Sequence, residues 1–146
     1  MEIRDLELVN CINQTALKEL DTALQAWGFR VFTLHGDNIT DKATFLAQVE
    51  KDLPLSAGLQ PHNWDALVDC LWGGLKELAD PHVAIVWTHA QRLLDSDLQD
   101  FLIAVDSLTD VGRDVYSGVG FAHEMSLYIF VVGEGSNFRP LPPATA

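Results

Sequence analysis

A run of five apolar residues at 83–87 (VAIVW) restricts the fold of this chain more than any other feature of its sequence. A strand without polar side chains is buried on both faces, as in a parallel sheet that helices cover on both sides. Two further segments rich in β-branched and aromatic residues, 29–34 (FRVFTL) and 127–132 (LYIFVV), also predict strands. Because helical patterns separate the three segments, the sequence predicts an α/β fold with a three-stranded parallel sheet and right-handed crossovers.

The helical patterns consist of apolar residues three and four positions apart. They predict four to five helices, of which the main ones lie at 13–27, 40–53, 63–73 and about 95–108. Glycines at 73 and 74 are expected to end the third of these helices. The polar, glycine-containing segment 109–124 is expected to be a loop.

The chain length of 146 residues predicts a single domain at residues 1–132. Within it, residues 1–28 are expected to form a helical N-terminal extension and residues 29–132 the core. A flexible tail is expected at 133–146.

The formal net charge of −12 is large for a chain of this length. Such a charge repels nucleic acid and attracts basic partners, so we expect no contact with DNA or RNA. The acidic residues are dispersed among the 48% that are hydrophobic, which predicts a packed core rather than a disordered chain. No segment reaches the roughly 20 apolar residues that span a bilayer, and the N-terminus has no signal-peptide pattern. A cytoplasmic protein without membrane contact is therefore expected.

Catalytic and metal-binding patterns are missing from the sequence. The five histidines are scattered without metal-ligand spacing, and Cys11 and Cys70 form no CxxC pattern. Two reduced thiols are the expected state of these cysteines, with a single disulfide as the alternative. We therefore expect neither an enzyme nor a bound metal or cofactor.

The predicted helix at 63–73 has an unusual outer face, because Asp65, Asp69 and Trp72 follow one another at i, i+4 and i+7. Its opposite face is an apolar stripe of Trp64, Leu67, Val68 and Leu71. Like charges at i, i+4 destabilise a helix by a few tenths of a kcal/mol, so this pair beside an aromatic residue indicates contact with a cationic partner. The alternative is an ordinary solvated face, with Trp72 tucked under the loop at 73–81.

The segment 63–71 (NWDALVDCL) resembles the Asn-x-Asp-Ala-Leu-x-Asp-Cys-Leu signature of the barstar family, and the resemblance extends over about 29–132. It implies a barstar-like fold and the inhibition of a microbial ribonuclease by this helix and the loop before it. By position, Asp69 matches the family's principal carboxylate, which lies where substrate phosphate would bind, and Asp65 matches a second acidic contact.

Further residues match contact positions of the same family. They are Trp72, Gly73 and Val68 on the helix, and Asp106 on a later helix. His62 ends a stretch (LQPH, 59–62) where the family often has an aromatic residue and a glycine, which implies a different cognate nuclease. Two functions remain open: an immunity protein that binds a basic ribonuclease toxin, and a barstar-fold adaptor that binds another basic protein and inhibits no nuclease.

Overall fold

The fold is known from a computed structural model that describes residues 5–59 and 62–138. Within these residues, four strands and five helices follow one another in the order β1 (Val9–Asn13), α1 (Leu17–Ala26), β2 (Arg30–His35), α2 (Lys42–Asp52), α3 (Trp64–Lys76), β3 (His82–Thr88), α4 (Gln91–Ser96), α5 (Leu98–Ser117) and β4 (Ser126–Gly133). The predicted α/β class is confirmed.

The sheet is parallel and has the strand order β1-β4-β3-β2. Strand β3, which contains the VAIVW run, lies between two other strands and is buried along almost its whole length, as its sequence predicts. The prediction of three strands is wrong by one, because β1 was missed. This strand (VNCIN) is short and half-polar, since it pairs with β4 on one side only and remains partly exposed.

Helices cover both faces of the sheet. Helices α2, α3 and α5 enclose the larger core, which contains Val83, Ile85 and Trp87 of β3. Helix α1 covers the other face, where Leu20 and Leu24 are fully buried among strand residues. The N-terminal segment therefore contributes a strand and the cover of one sheet face, where only a helical extension was expected.

The domain boundaries at residues 28 and 132 stay predictions. Residues 133–138, expected in the flexible tail, include the last residue of β4, Gly133, and the buried ring of Phe138. Residues 139–146 of that tail lie outside the described residues.

Two helices continue beyond their predicted ends. Helix α3 runs through Gly73 and Gly74 to Lys76, and α5 runs to Ser117, so most of the predicted loop at 109–124 is helical. Gly74 does not form a turn. A glycine is required there because the loop backbone packs directly against the helix, and a Cβ atom at this position would lie 1.8 Å from the carbonyl oxygen of Pro54. Helix α5 ends where Gly118 adopts a left-handed φ of 72°, a usual helix stop.

Cys11 and Cys70 are both free thiols, as expected. Burial raises the pKa of the Cys11 thiol. In the described part of the chain, no helix combines the length and the apolar character that crossing a membrane requires.

Candidate functional site

Helix α3 begins with a side-chain cap. Asn63 has an extended backbone, and its Oδ1 accepts a hydrogen bond of 2.7 Å from the backbone N–H of Ala66. Asp65 follows in the first turn, where a negative charge interacts favourably with the positive end of the helix dipole. The cap fixes the point at which the chain turns from the preceding loop into the helix.

The inner face of α3 anchors the helix in the larger core. Leu67, Leu71 and Leu75 are fully buried, and the ring of Trp64 packs 5.6 Å from that of Phe45 on α2. Val68 is half-buried at the border of this core. Because the inner face is fixed along three turns, the orientation of the outer face is fixed as well.

The outer face of α3 presents two unpaired carboxylates. Asp65 and Asp69 are exposed, and neither side chain forms a hydrogen bond or an ion pair with any described residue. They lie one helical turn apart, about 5–6 Å between Cβ atoms. Asp106 on α5 is also exposed and unpaired within the described residues. All three predicted acidic contacts are therefore accessible, and no cation in residues 5–59 and 62–138 pairs with them.

Trp72 is half-buried, and residues 73–76, which the alternative interpretation placed in a loop over it, continue helix α3. Its ring meets the edge of Phe121 at a centroid distance of 6.2 Å, with the planes 71° apart. The ammonium group of Lys76 lies 4.0 Å from the centre of the Trp72 ring, a cation–π contact. Trp72 therefore joins α3 to the segment that follows α5, a contact the sequence analysis missed because the two lie about fifty positions apart.

The loop before α3 is held against the middle of the helix. The backbone N–H of Ser56 donates to the carbonyl of Cys70 over 2.9 Å, and Leu59 is fully buried. Gly73 faces Ser56 so closely that a Cβ atom at Gly73 would lie 2.6 Å from the serine Oγ. The loop and the outer face of α3 therefore form one continuous surface.

His62 lies at the end of this loop and contacts α2. Its Nε2 is 2.5 Å from a carboxylate oxygen of Glu50, which is an ion pair when the ring is protonated. Residues 60 and 61, within the stretch that departs from the family pattern, lie outside the described residues. His62 also borders a cavity of about 350 Å³ whose other walls include the carboxylates Asp41 and Asp100. Lys42 lies in the same wall, so the lining carries charges of both signs. This cavity is a second feature that sequence analysis did not identify.

The described residues include no group of three or more histidine, cysteine or acidic side chains arranged to hold a metal ion. The site can act by presenting negative charge and shape to a partner. Each predicted contact residue lies on α3, on the loop before it or on α5.

Comparison with known proteins agrees with this geometry. The model of one protein family, described as Barstar (barnase inhibitor), matches residues 29–127 and so includes strand β2, the capped helix α3 and helix α5. Members of that family are inhibitors rather than enzymes. A search of curated proteins found no match. Since the family model matches more than half of the 146 residues, the chain belongs to the barstar family.

Proposed function

We propose that this chain is an immunity protein that binds a basic ribonuclease toxin and occludes its active site with helix α3 and the loop before it. The observation that carries the proposal is the pair Asp65 and Asp69: both are exposed, unpaired within the described chain and one turn apart on the signature helix of a barstar-family protein. Two neighbouring carboxylates without a cationic partner repel each other and destabilise the helix of the free protein. We therefore expect them to contribute favourably when a cationic partner binds.

The proposed mechanism is mimicry of RNA phosphate. The cationic pocket of a ribonuclease binds phosphate oxygens, and a carboxylate offers the same charge and the same hydrogen-bond acceptors. Asp69 would occupy this pocket, with Asp65 as a second acidic contact. The net charge of −12 would also accelerate the encounter with a basic enzyme and make association sensitive to salt.

Five further residues complete the proposed contact surface: Trp72, Gly73, Val68, His62 and Asp106. Their common support is position, since they lie on α3, at the end of the loop that packs beside it, or on the exposed side of α5. His62 ends a stretch where the family often has an aromatic residue and a glycine, so the proposed cognate enzyme differs from those bound through an aromatic loop residue.

The test is an inhibition assay with a panel of purified basic ribonucleases, barnase included. We expect the unaltered chain to inhibit at least one enzyme in a 1:1 complex that weakens as salt increases. Asp69→Ala should raise Kd by about 30-fold or more, because removing one partner of a buried charge pair costs about 2–5 kcal/mol and 1.4 kcal/mol is tenfold.

Asp21→Ala is the matched control, since Asp21 is also exposed and unpaired within the described chain but lies on α1, on the other side of the sheet. It should change Kd by less than about threefold. If Asp65→Ala and Asp69→Ala change Kd no more than Asp21→Ala does, the proposal is wrong. A chain that binds a basic protein but inhibits no ribonuclease would instead be the barstar-fold adaptor.

A further inference from the structure

The segment between α5 and β4 forms a tight, uncharged turn. Residues 117–122 (SGVGFA) contain no charged side chain, although 21% of the whole chain is charged. Gly118 and Gly120 adopt left-handed φ angles of 72° and 84°, and the N–H of Phe121 donates to the carbonyl of Gly118 over 3.1 Å. At the tip, Val119 is 73% exposed. The turn conformation depends on the two glycines, so the turn can form without an apolar side chain at position 119.

This turn is fixed to helix α3. Phe121 packs against the Trp72 ring, and Gly120 also lies against that ring, with a Cβ position 3.5 Å from it. Beyond the turn, Nε2 of His123 donates to the carbonyl of Ala79, which follows α3, over 3.0 Å. The turn therefore has a defined position next to the outer face of the helix.

Charge changes along the outer face of α3 in the direction of this turn. Asp65 and Asp69 make the first half negative, the Trp72 ring is neutral, and Lys76 places a positive charge over that ring. Trp72 is three residues after Asp69, so the two are neighbours on the helix surface. A basic partner is attracted to the first half of the face and gains no charge attraction from the second half or from the turn.

We propose that the turn at 118–121, seated on Trp72, is a second contact surface for the ribonuclease and binds an apolar part of the enzyme beside its cationic cleft. This inference rests on the proposed function. In it, Val119 makes the contact of the turn, and Phe121 is a positioning residue that holds the turn beside Asp69. Trp72, already part of the proposed contact surface, also supports the turn. The acidic pair supplies attraction that salt weakens, and the turn supplies apolar burial that salt does not weaken.

The test replaces Val119 with either sign of charge and measures Kd for the ribonuclease that the unaltered chain inhibits most strongly in the panel. Val119→Asp and Val119→Lys should both weaken binding by about tenfold or more, because either charge would be buried against an apolar surface without a partner. Phe121→Ala should weaken binding at every salt concentration without changing the salt dependence, whereas Asp69→Ala should reduce that dependence.

Thr22→Asp and Thr22→Lys are the matched controls. Thr22 is β-branched like Val119 and exposed, and it lies on α1 across the sheet. Its hydroxyl donates to the carbonyl of Lys18 within the same helix. Both variants lose this local bond equally, so the difference between them reports the change in net charge. They should shift Kd by less than about threefold and in opposite directions. Unfolding by urea verifies that each variant is folded.

The inference is overturned if the Val119 pair behaves like the Thr22 pair, or if Val119→Asp tightens binding while Val119→Lys weakens it. In either case a strong effect of Asp69→Ala would leave the proposed function intact. A chain that inhibits no ribonuclease in the panel would refute the proposed function and the second contact surface together.

Discussion

Two adjacent glycines in helix α3, Gly73 and Gly74, should respond differently to substitution by alanine. A change from glycine to alanine inside a helix is normally stabilising by about 0.8–1 kcal/mol. At Gly74 the new Cβ would lie 1.8 Å from the carbonyl oxygen of Pro54, whereas an ordinary contact is at least 3.4 Å. The loop backbone would have to move by about 1.6 Å.

The net effect at Gly74 follows from three contributions. Overpacking of this kind costs about 1–3 kcal/mol, and the displaced loop would lose the hydrogen bond from Ser56 to Cys70, which contributes about 1 kcal/mol. The gain in helix propensity offsets about 1 kcal/mol of that sum. We therefore expect Gly74→Ala to lower the free energy of unfolding by about 1–3 kcal/mol.

Gly73→Ala is the matched comparison. Its Cβ would meet the Oγ of Ser56 at 2.6 Å and the Cβ of Ser56 at 3.0 Å, and Ser56 is an exposed residue whose hydroxyl can rotate away. We expect this variant to stay within about 1 kcal/mol of the unaltered chain. In a Ser56→Gly background the obstruction is gone, and Gly73→Ala should then stabilise by nearly the full 1 kcal/mol of helix propensity.

Urea denaturation followed by far-UV circular dichroism measures the unaltered chain, the two alanine variants, Ser56→Gly and the Ser56→Gly/Gly73→Ala double variant. The slope m is checked for constancy so that midpoints report stability. The reasoning is refuted if Gly74→Ala is more stable than the unaltered chain, or if the two alanine variants change stability equally. Either result would mean that the loop does not lie against α3 at the position of Gly74.

Two further predictions concern local hydrogen bonds. Asn63→Ala removes the side-chain acceptor for the Ala66 N–H and should destabilise the protein by about 1 kcal/mol in the same urea assay. Asn63→Asp keeps a side-chain acceptor and should retain most of the stability. Equal losses in the two variants would show that the cap contributes nothing. Burial tends to raise the pKa of Asp52, but hydrogen bonds from the His35 backbone, the Gln48 amide and the His35 ring outweigh it and lower that pKa. Because the pKa of Asp52 is lower in the folded state, its ionised form stabilises the folded protein relative to the Asp52→Asn variant. This difference in the free energy of unfolding is fully present above the ordinary carboxyl pKa, near 4. It is lost as pH falls through the lower pKa of the folded state. Unfolding curves between pH 2 and 7 measure this difference, and an advantage that grows on acidification would contradict the assignment.

Much of the site could be predicted from the sequence because it lies within one helix. The positions of Asp65 and Asp69 relative to Leu67 and Leu71 follow from 3.6 residues per turn, and the Asn63 cap is a short-range signal. The surroundings of Trp72 could not be predicted in this way. Its partner Phe121 is 49 positions away, and no local pattern encodes that contact.

The sequence by itself determined the α/β class and the identities of three strands, because continuous burial and helical periodicity are written into the order of apolar residues. It also determined which side of α3 faces outward. Tertiary structure alone decided that VNCIN forms an edge strand, since a half-polar segment becomes a strand only when β4 offers its hydrogen-bonding edge. It also decided that α3 continues through Gly73 and Gly74. There the glycines allow a loop backbone to approach the helix, so packing overrides the low helix propensity that a local reading assigns to them.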